Sequence, residues 1–346
     1  MKLSKLGLMI ASTVLVTTSF ALAQDFFPAA IYQLDSKFTH HALVVEKSTH
    51  QLYLYKYEKD SPPVLLKKYQ IATGKIMGDK GMQGDKKTPE GIYHFQRFFS
   101  SETLISKYGD TGLIYGAGAF TLNYPNEMDK RKGKTGGGIW LHSTDDDSRV
   151  SKGLDSRGCV VAIDADLKDI SQYLDLNNTP TVIVQDLHFL SKQTWEKNKE
   201  DILGTVNTWM EAWKSKDFNS YINAYSVEEF IHPNKGRFNQ YKSYKSLIFS
   251  RSEKPEINFS DVSILSNDEY AVVTLVQDYN SNLIKDIGKK TLYLKKNPKY
   301  EWKIVAEVFN KMNSDDNIAF TPSMRFFNNN VTRNNSKESK NDSGSI

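Results

Sequence analysis

Apolar and polar positions alternate through the first half of the chain. From 41 to 57, Val44 and Glu46 lead into Leu52, Tyr53, Leu54 and Tyr55, with Lys47-Ser48-Thr49-His50 between the two runs. Alternation on both sides of a polar turn predicts a β-hairpin. Further short strands are expected over 68–72, 91–95, 120–122 and 138–142. Glycine- and proline-containing joints separate them over 74–91, 109–118 and 132–138. A region so dense in strands and turns reads as a mainly β domain, a β-sandwich or closed sheet. Asp164 is placed to N-cap a helix carrying Leu167, Ile170, Tyr173 and Leu174 at helical spacing, and a strand over 181–185 closes the domain.

The pattern changes near Leu187. Trp195, Ile202, Val206, Trp209 and Trp213 follow a helical period within 192–226, and a second helix is expected after Asp217. Strands over 256–265, 270–279, 289–295 and 302–309 follow, so this half reads as an α+β domain whose sheet wraps its helices. Trp209, Trp213, Tyr221 and Tyr225 are expected in its core. From about Asn317 the chain is rich in Asn, Ser, Lys and Asp, and that composition predicts a disordered tail. The resulting division is 1–23, an N-terminal segment 24–40, a first domain 41–186, a second domain 190–315 and a tail 316–346.

Lys2 and Lys5 precede an apolar run that ends in Ala21-Leu22-Ala23. A basic start, a short apolar stretch and a small-x-small end predict a cleavable export signal over 1–23, and the stretch is short for a permanent membrane span. The net charge of +4 is too mild to argue for nucleic acid. The one cysteine of the chain has no internal disulfide partner. In an exported protein a lone thiol is either buried and inert or chemically active.

The chemistry-bearing stretch is Gly138-Ile139-Trp140-Leu141-His142-Ser143-Thr144, a polar loop, then Ser156-Arg157-Gly158-Cys159-Val160-Val161. Cysteine acyl transfer needs a thiol, an imidazole to take and return its proton, a group that orients the imidazole, and N–H donors for the oxyanion. Cys159 and His142 supply the first two, and Gly158 lets the backbone approach a substrate closely. A lone His and a lone Cys are more often structural, so the surrounding residues must decide. His40-His41 with His50 lack the Cys or carboxylate that would complete a metal site. Asp145-Asp146-Asp147 lacks the spacing of a calcium loop. No metal or cofactor is expected.

With His142 and Cys159 seventeen residues apart and Ser156-Arg157-Gly158-Cys159 in place, the region resembles the L,D-transpeptidase catalytic domain family, a YkuD-type β-sandwich. Thr88-Pro89-Glu90-Gly91-Ile92-Tyr93 is similar to a second family segment. Leu122-Asn123-Tyr124-Pro125-Asn126 followed by Gly136-Gly137-Gly138-Ile139-Trp140 is similar to exported Gram-negative members. The resemblance implies Cys159 as nucleophile, His142 as base and acid, and the backbone N–H groups of Gly158 and Cys159 as oxyanion donors. Ser143 stands where the family usually has Gly, so only its backbone carbonyl, which orients the imidazole, is expected to matter. Ser156, Arg157, Trp140, Asn123 and Tyr124 are implied as substrate contacts. Val161 stands where the family often has Asn or Arg.

The second half resembles the nuclear-transport-factor-2-like fold, in which a helix pair precedes a cone-shaped sheet. Together the halves resemble the cell-shape-determining murein L,D-carboxypeptidases of helical bacteria. The resemblance implies a periplasmic enzyme acting on peptidoglycan stem peptides, which trims tetrapeptide to tripeptide by releasing D-Ala. A transpeptidase that forms diaminopimelate–diaminopimelate cross-links or attaches a protein to the wall is the alternative. An inactive wall-binding protein is the alternative of another class. The sequence leaves homodimer formation open.

Overall fold

The structure is a computed structural model and describes residues 25–312 and 320–327. Eight strands form one mixed sheet in the order Val160–Val161, Trp140–His142, Gly118–Leu122, Gly91–Ser100, Pro180–Val184, His41–Glu46, Gln51–Lys56 and Val64–Gln70. The first two are parallel, as are Pro180–Val184 and His41–Glu46. Just beyond the last strand, Ala72 exchanges both backbone hydrogen bonds with Val161 of the first, each at 2.8 Å. The sheet therefore nearly closes on itself, the closed form of the mainly β expectation. Leu43, Val45, Leu52 and Leu54 face inward onto Phe95, Phe120 and Leu141. Their alternate neighbours Val44, Tyr53 and Tyr55 are buried on the other face, with residues of the second half.

The helix Asp164–Ser171 buries Leu167 and Ile170 as its spacing requires. Asp164 is not its cap. Ile163 holds that position without a side-chain bond, and the Asp164 carboxylate instead accepts the N–H of Ala117 at 2.8 Å. Among the helices not legible in the pattern are Ser101–Tyr108 and Phe238–Arg251. The inward face of the second includes Lys245 beside Phe238, Tyr241 and Phe249, and a charged residue there masks the apolar period.

The second sheet is antiparallel, in the order Trp302–Lys311, Lys285–Lys296, Ala271–Asn280, Glu256–Ser266 and Ile31–Gln33. Register shifts at Ser260/Ser263 and Tyr293/Leu294 increase its twist and help it curl. It encloses a core with Trp195, Val206, Trp209, Trp213, Tyr221 and Tyr225 from the helices Lys192–Ser215 and Phe218–Asn223 and the residues that follow. The fifth strand comes from the segment ahead of the first domain, so Ile31–Gln33 completes the second sheet. Phe26–Pro28 also pairs with Phe189–Ser191.

One apolar cluster joins the halves: Val44, Tyr53, Tyr55, Ile92 and Val182 meet Leu265, Tyr270, Val272, Tyr293 and Val305. The Tyr270 hydroxyl accepts from Ile92 N–H at 3.0 Å and from the Asn126 amide at 3.2 Å. Arg131 donates to the carbonyls of Glu229, Ile231 and Val305. Within the expected tail residues 320–327 are described, and three aromatic side chains there find ring partners. Phe320 stacks on His40 at 3.7 Å, while Phe326 and Phe327 pack against Phe98. The expected export signal and the remainder of the tail lie outside the described residues. No helix among those described is long and apolar enough to cross a membrane.

Candidate active site

Two parallel strands set the site. Val161 pairs with His142 and Val160 with Leu141, so Cys159, one residue ahead, lies level with Trp140, two positions before the histidine on the neighbouring strand. The turn before Cys159 closes on itself. Ser156 Oγ donates to the Cys159 carbonyl at 2.6 Å and accepts the Gly158 N–H at 3.0 Å. Gly158 has φ +128°, and a Cβ there would lie 2.7 Å from the Lys87 carbonyl oxygen, so only glycine fits. Its N–H is engaged by Ser156. The Cys159 N–H is the other member of the expected oxyanion pair.

The Thr88-Pro89-Glu90-Gly91 segment supports this turn from behind. The fully buried Thr88 hydroxyl donates to the Gly158 carbonyl at 3.0 Å and accepts Gly74 N–H at 2.8 Å. Lys47, only 1% exposed, holds the segment through the Thr88 and Gly78 carbonyls and the Glu90 carboxylate.

His142 Nδ1 lies 2.5 Å from the Ser143 carbonyl oxygen. A carbonyl can only accept, so Nδ1 carries the proton and Nε2 keeps its lone pair. Burial pushes the imidazole down to about 4, outweighing the Ser143 bond, and Arg149 adds to the depression. The Ser143 carbonyl is therefore the hydrogen-bond partner of the ring. The Ser143 hydroxyl is also engaged, donating to the Tyr115 carbonyl at 3.1 Å and accepting Ala117 N–H at 2.7 Å.

Cys159 is half-buried. Burial pushes its thiol up to about 11, against the pull of a Trp140 backbone hydrogen bond and of Arg157, Arg149 and Lys80. The sulfur donates to the Gly138 carbonyl at 3.5 Å. Its hydrogen bond among the described residues is thus to the backbone, not to His142. At neutral pH the two groups are a thiol and a neutral imidazole, so the proton moves when substrate is attacked rather than beforehand.

Of the expected substrate contacts, Trp140 is half-buried and begins an aromatic row, 5.0 Å from Tyr115, 6.0 Å from Phe99 and 6.5 Å from Tyr108. Arg157 is exposed and makes no ion pair among the described residues. Asn123 and Tyr124 do other work. Asn123 Oδ1 accepts His94 N–H at 2.8 Å, and the buried Tyr124 donates to the Thr135 carbonyl at 3.3 Å. Both line a cleft of about 910 Å³ between the halves. Val161 is fully buried beside His142, where a polar side chain has no access to substrate. Tyr115 and Tyr108 were missed. They sit at the edges of a glycine-bounded turn with no periodicity, and the only signal was two aromatic residues beside such a joint.

The second half contains a buried charged group. Glu307 accepts from Tyr225 at 2.9 Å and Tyr241 at 2.7 Å, and Lys290 lies 3.3 Å away. Lys245 faces the rings of Trp213, Tyr221 and Tyr241 and makes no hydrogen bond among the described residues. Burial draws its ammonium down to about 8. No group of three or more metal-type ligands occurs among the described residues.

Two family models match the chain, the L,D-transpeptidase catalytic domain over residues 40–184 and the Cds6 C-terminal NTF2-like domain over residues 201–308. Among solved structures, Bd1075 of Bdellovibrio bacteriovorus is similar at 30% identity and TM-score 0.72, over 84% of this chain and 100% of that one. The helical cell shape determining protein Pgp2 of Campylobacter jejuni is similar at 32% identity and TM-score 0.61, over 80% of this chain and 94% of that one. No curated protein matches the chain.

Proposed function

The chain belongs to the family that joins an L,D-transpeptidase catalytic domain to a C-terminal NTF2-like domain, and from that premise we propose that it is an exported L,D-carboxypeptidase of peptidoglycan that affects cell shape. The observation that carries this is a neutral His142, with Nδ1–H fixed on the Ser143 carbonyl, and a half-buried Cys159 just ahead of the parallel neighbouring strand.

The substrate is the stem tetrapeptide, cut between the L-centre of diaminopimelate and the terminal D-Ala. Cys159 Sγ attacks the carbonyl carbon as its proton passes to His142 Nε2. Cys159 N–H steadies the oxyanion. The C–N bond breaks, His142 returns the proton to the leaving amine, and D-Ala departs from a thioester. Water then adds to the thioester carbonyl, giving up a proton to His142; the C–S bond breaks, His142 returns that proton to Cys159 Sγ, and tripeptide leaves. The exposed, unpaired Arg157 suits the carboxylate of the departing D-Ala. The second half acts on substrate positioning.

Incubation with purified tetrapeptide muropeptide, followed by product analysis, tests the proposal. Tripeptide with equimolar D-Ala supports it. Cross-linked dimers would make the enzyme a transpeptidase with an amine as acceptor. Unchanged substrate together with an unlabelled thiol would leave only a wall-binding protein.

A further inference from the structure

We propose that Tyr115 is a positioning residue for His142, held in place by a clasp formed by the Ser143 hydroxyl and the Asp164 carboxylate. The proposal rests on the acyl-transfer function of the Cys159–His142 pair, though not on the identity of its substrate.

The turn Gly109–Tyr115 and the residues after it lie directly against the catalytic strand. Ser143 Oγ donates to the Tyr115 carbonyl at 3.1 Å, and the Ala117 N–H is shared between Ser143 Oγ at 2.7 Å and Asp164 Oδ1 at 2.8 Å. Between them Gly116, at φ +52°, leaves no room for a side chain. A Cβ there would sit 2.5 Å from Asp164 Oδ1 and 2.7 Å from both Ser143 Oγ and Thr144 N. Arg149 adds a second anchor, donating to the Ile114 carbonyl at 3.1 Å and to Thr144 Oγ1 at 3.2 Å while its Nε pairs with Asp155 at 2.6 Å. Both carbonyls of the 114–115 pair are therefore tied to the loop that follows His142.

The outcome is geometric. The Tyr115 ring stands 5.0 Å from the imidazole at 82°, and 5.0 Å from Trp140. The bond from Nδ1 to the Ser143 carbonyl restrains one edge of the imidazole, and by itself it leaves a hinge about that edge. The Tyr115 ring stands next to the imidazole and limits that swing. Both proton transfers use the same Nε2, once to take the thiol proton and once to give it to the leaving amine, so a ring that wanders loses rate at each step. The Tyr115 hydroxyl makes no hydrogen bond among the described residues, so its ring rather than its hydroxyl is the working part. The same contacts explain two departures from expectation. Ser143 carries a side chain because the clasp uses it, and Asp164 is directed at this turn instead of capping its helix.

The test uses the full-length protein and two readouts, D-Ala release from tetrapeptide and acylation of the single cysteine by a carbapenem, followed by intact mass. Tyr115→Leu should lower kcat and the acylation rate by roughly 10- to 100-fold, the scale expected for misplaced catalytic groups, with KM changed less than about twofold. Tyr115→Phe should restore both rates. Ser143→Ala and Asp164→Asn should each give a smaller loss of the same kind. Ser143→Ala added to Tyr115→Leu should cost no more than Tyr115→Leu alone, because the clasp acts through the ring. Unchanged acylation in Tyr115→Leu, or fully additive losses in the double variant, overturns the proposal. If wild type leaves tetrapeptide untouched while acylation still falls in Tyr115→Leu, the assigned substrate is wrong and the positioning role stands.

Discussion

The Thr88 hydroxyl donates to the Gly158 carbonyl at 3.0 Å, and this bond ties the turn that presents the nucleophile to a loop anchored by buried Lys47. Thr88→Val keeps the shape but leaves the Gly158 carbonyl and the Gly74 N–H without their partner. Stranding buried polar groups costs about 1–3 kcal/mol. The variant should unfold at lower urea and acylate more slowly, because the Gly158–Cys159 turn loses its support. A wild-type urea midpoint would show that the bond contributes nothing.

Three histidines should make the protein labile to acid. Burial holds His41 and His94 down to about 3 and His142 down to about 4. An unfolded histidine titrates near 6.5. Above that pH neither state takes a proton and the native state is at full stability. Below it the unfolded chain binds protons that the native state refuses, so stability falls until the pH reaches the folded values. The window is therefore pH 6.5 down to 3–4, with a slope of up to about 1.4 kcal/mol per pH unit for each histidine. Thermal midpoints measured from pH 7.5 to 4.5 should be flat above 7 and fall steadily below 6. His94→Gln should flatten the slope, and a profile that rises on acidification would contradict the assignment.

Without substrate, Cys159 should behave as a thiol. Burial, which pushes it up to about 11, exceeds the opposing pull of Arg157, Arg149 and Lys80. Alkylation by iodoacetamide should accelerate close to tenfold per pH unit between 7 and 9, as the thiolate fraction grows. A rate that has already levelled off at pH 7 would mean a preformed thiolate–imidazolium pair.

How far the sequence revealed these features depended on the kind of signal. β-rich runs such as Ala271–Asn280 and the Ser156-Arg157-Gly158-Cys159 turn were legible because local pattern and local chemistry agree there. The alternation of His41–Glu46 marked a strand, but not that both its faces would be covered, since the second cover comes from residues more than two hundred positions away. Asn123 lay in a recognisable segment, yet no spacing rule tells which way an amide points, and it points to His94. Tyr115 lay in a glycine-bounded turn without periodicity, and only its contact with His142 marks it. The aromatic residues of 320–327 were diluted by polar neighbours.

The halves should not separate. A chain truncated after Asp186 would expose Val44, Tyr53, Tyr55 and Val182, and would lose the carbonyl partners of Arg131. It should aggregate or fail to unfold cooperatively, instead of giving an isolated active domain. A soluble truncated chain with a sharp thermal transition and wild-type carbapenem acylation would show that the shared core is dispensable. Tyr270→Phe offers a milder probe. Losing its bonds to Ile92 and Asn126 should lower stability by about 1–2 kcal/mol while leaving alkylation of Cys159 unchanged.

The central claim is covalent acyl transfer through Cys159, and the most direct measurement compares D-Ala release from purified tetrapeptide by wild type and Cys159→Ala at matched folding. The account predicts that wild type releases D-Ala with tripeptide as co-product. It predicts that Cys159→Ala loses activity by a factor on the order of 10⁴ or more, since no other group can form the acyl intermediate. The thermal midpoint should stay within about 2 °C, because a half-buried thiol contributes little packing. Release by Cys159→Ala within tenfold of wild type would contradict it.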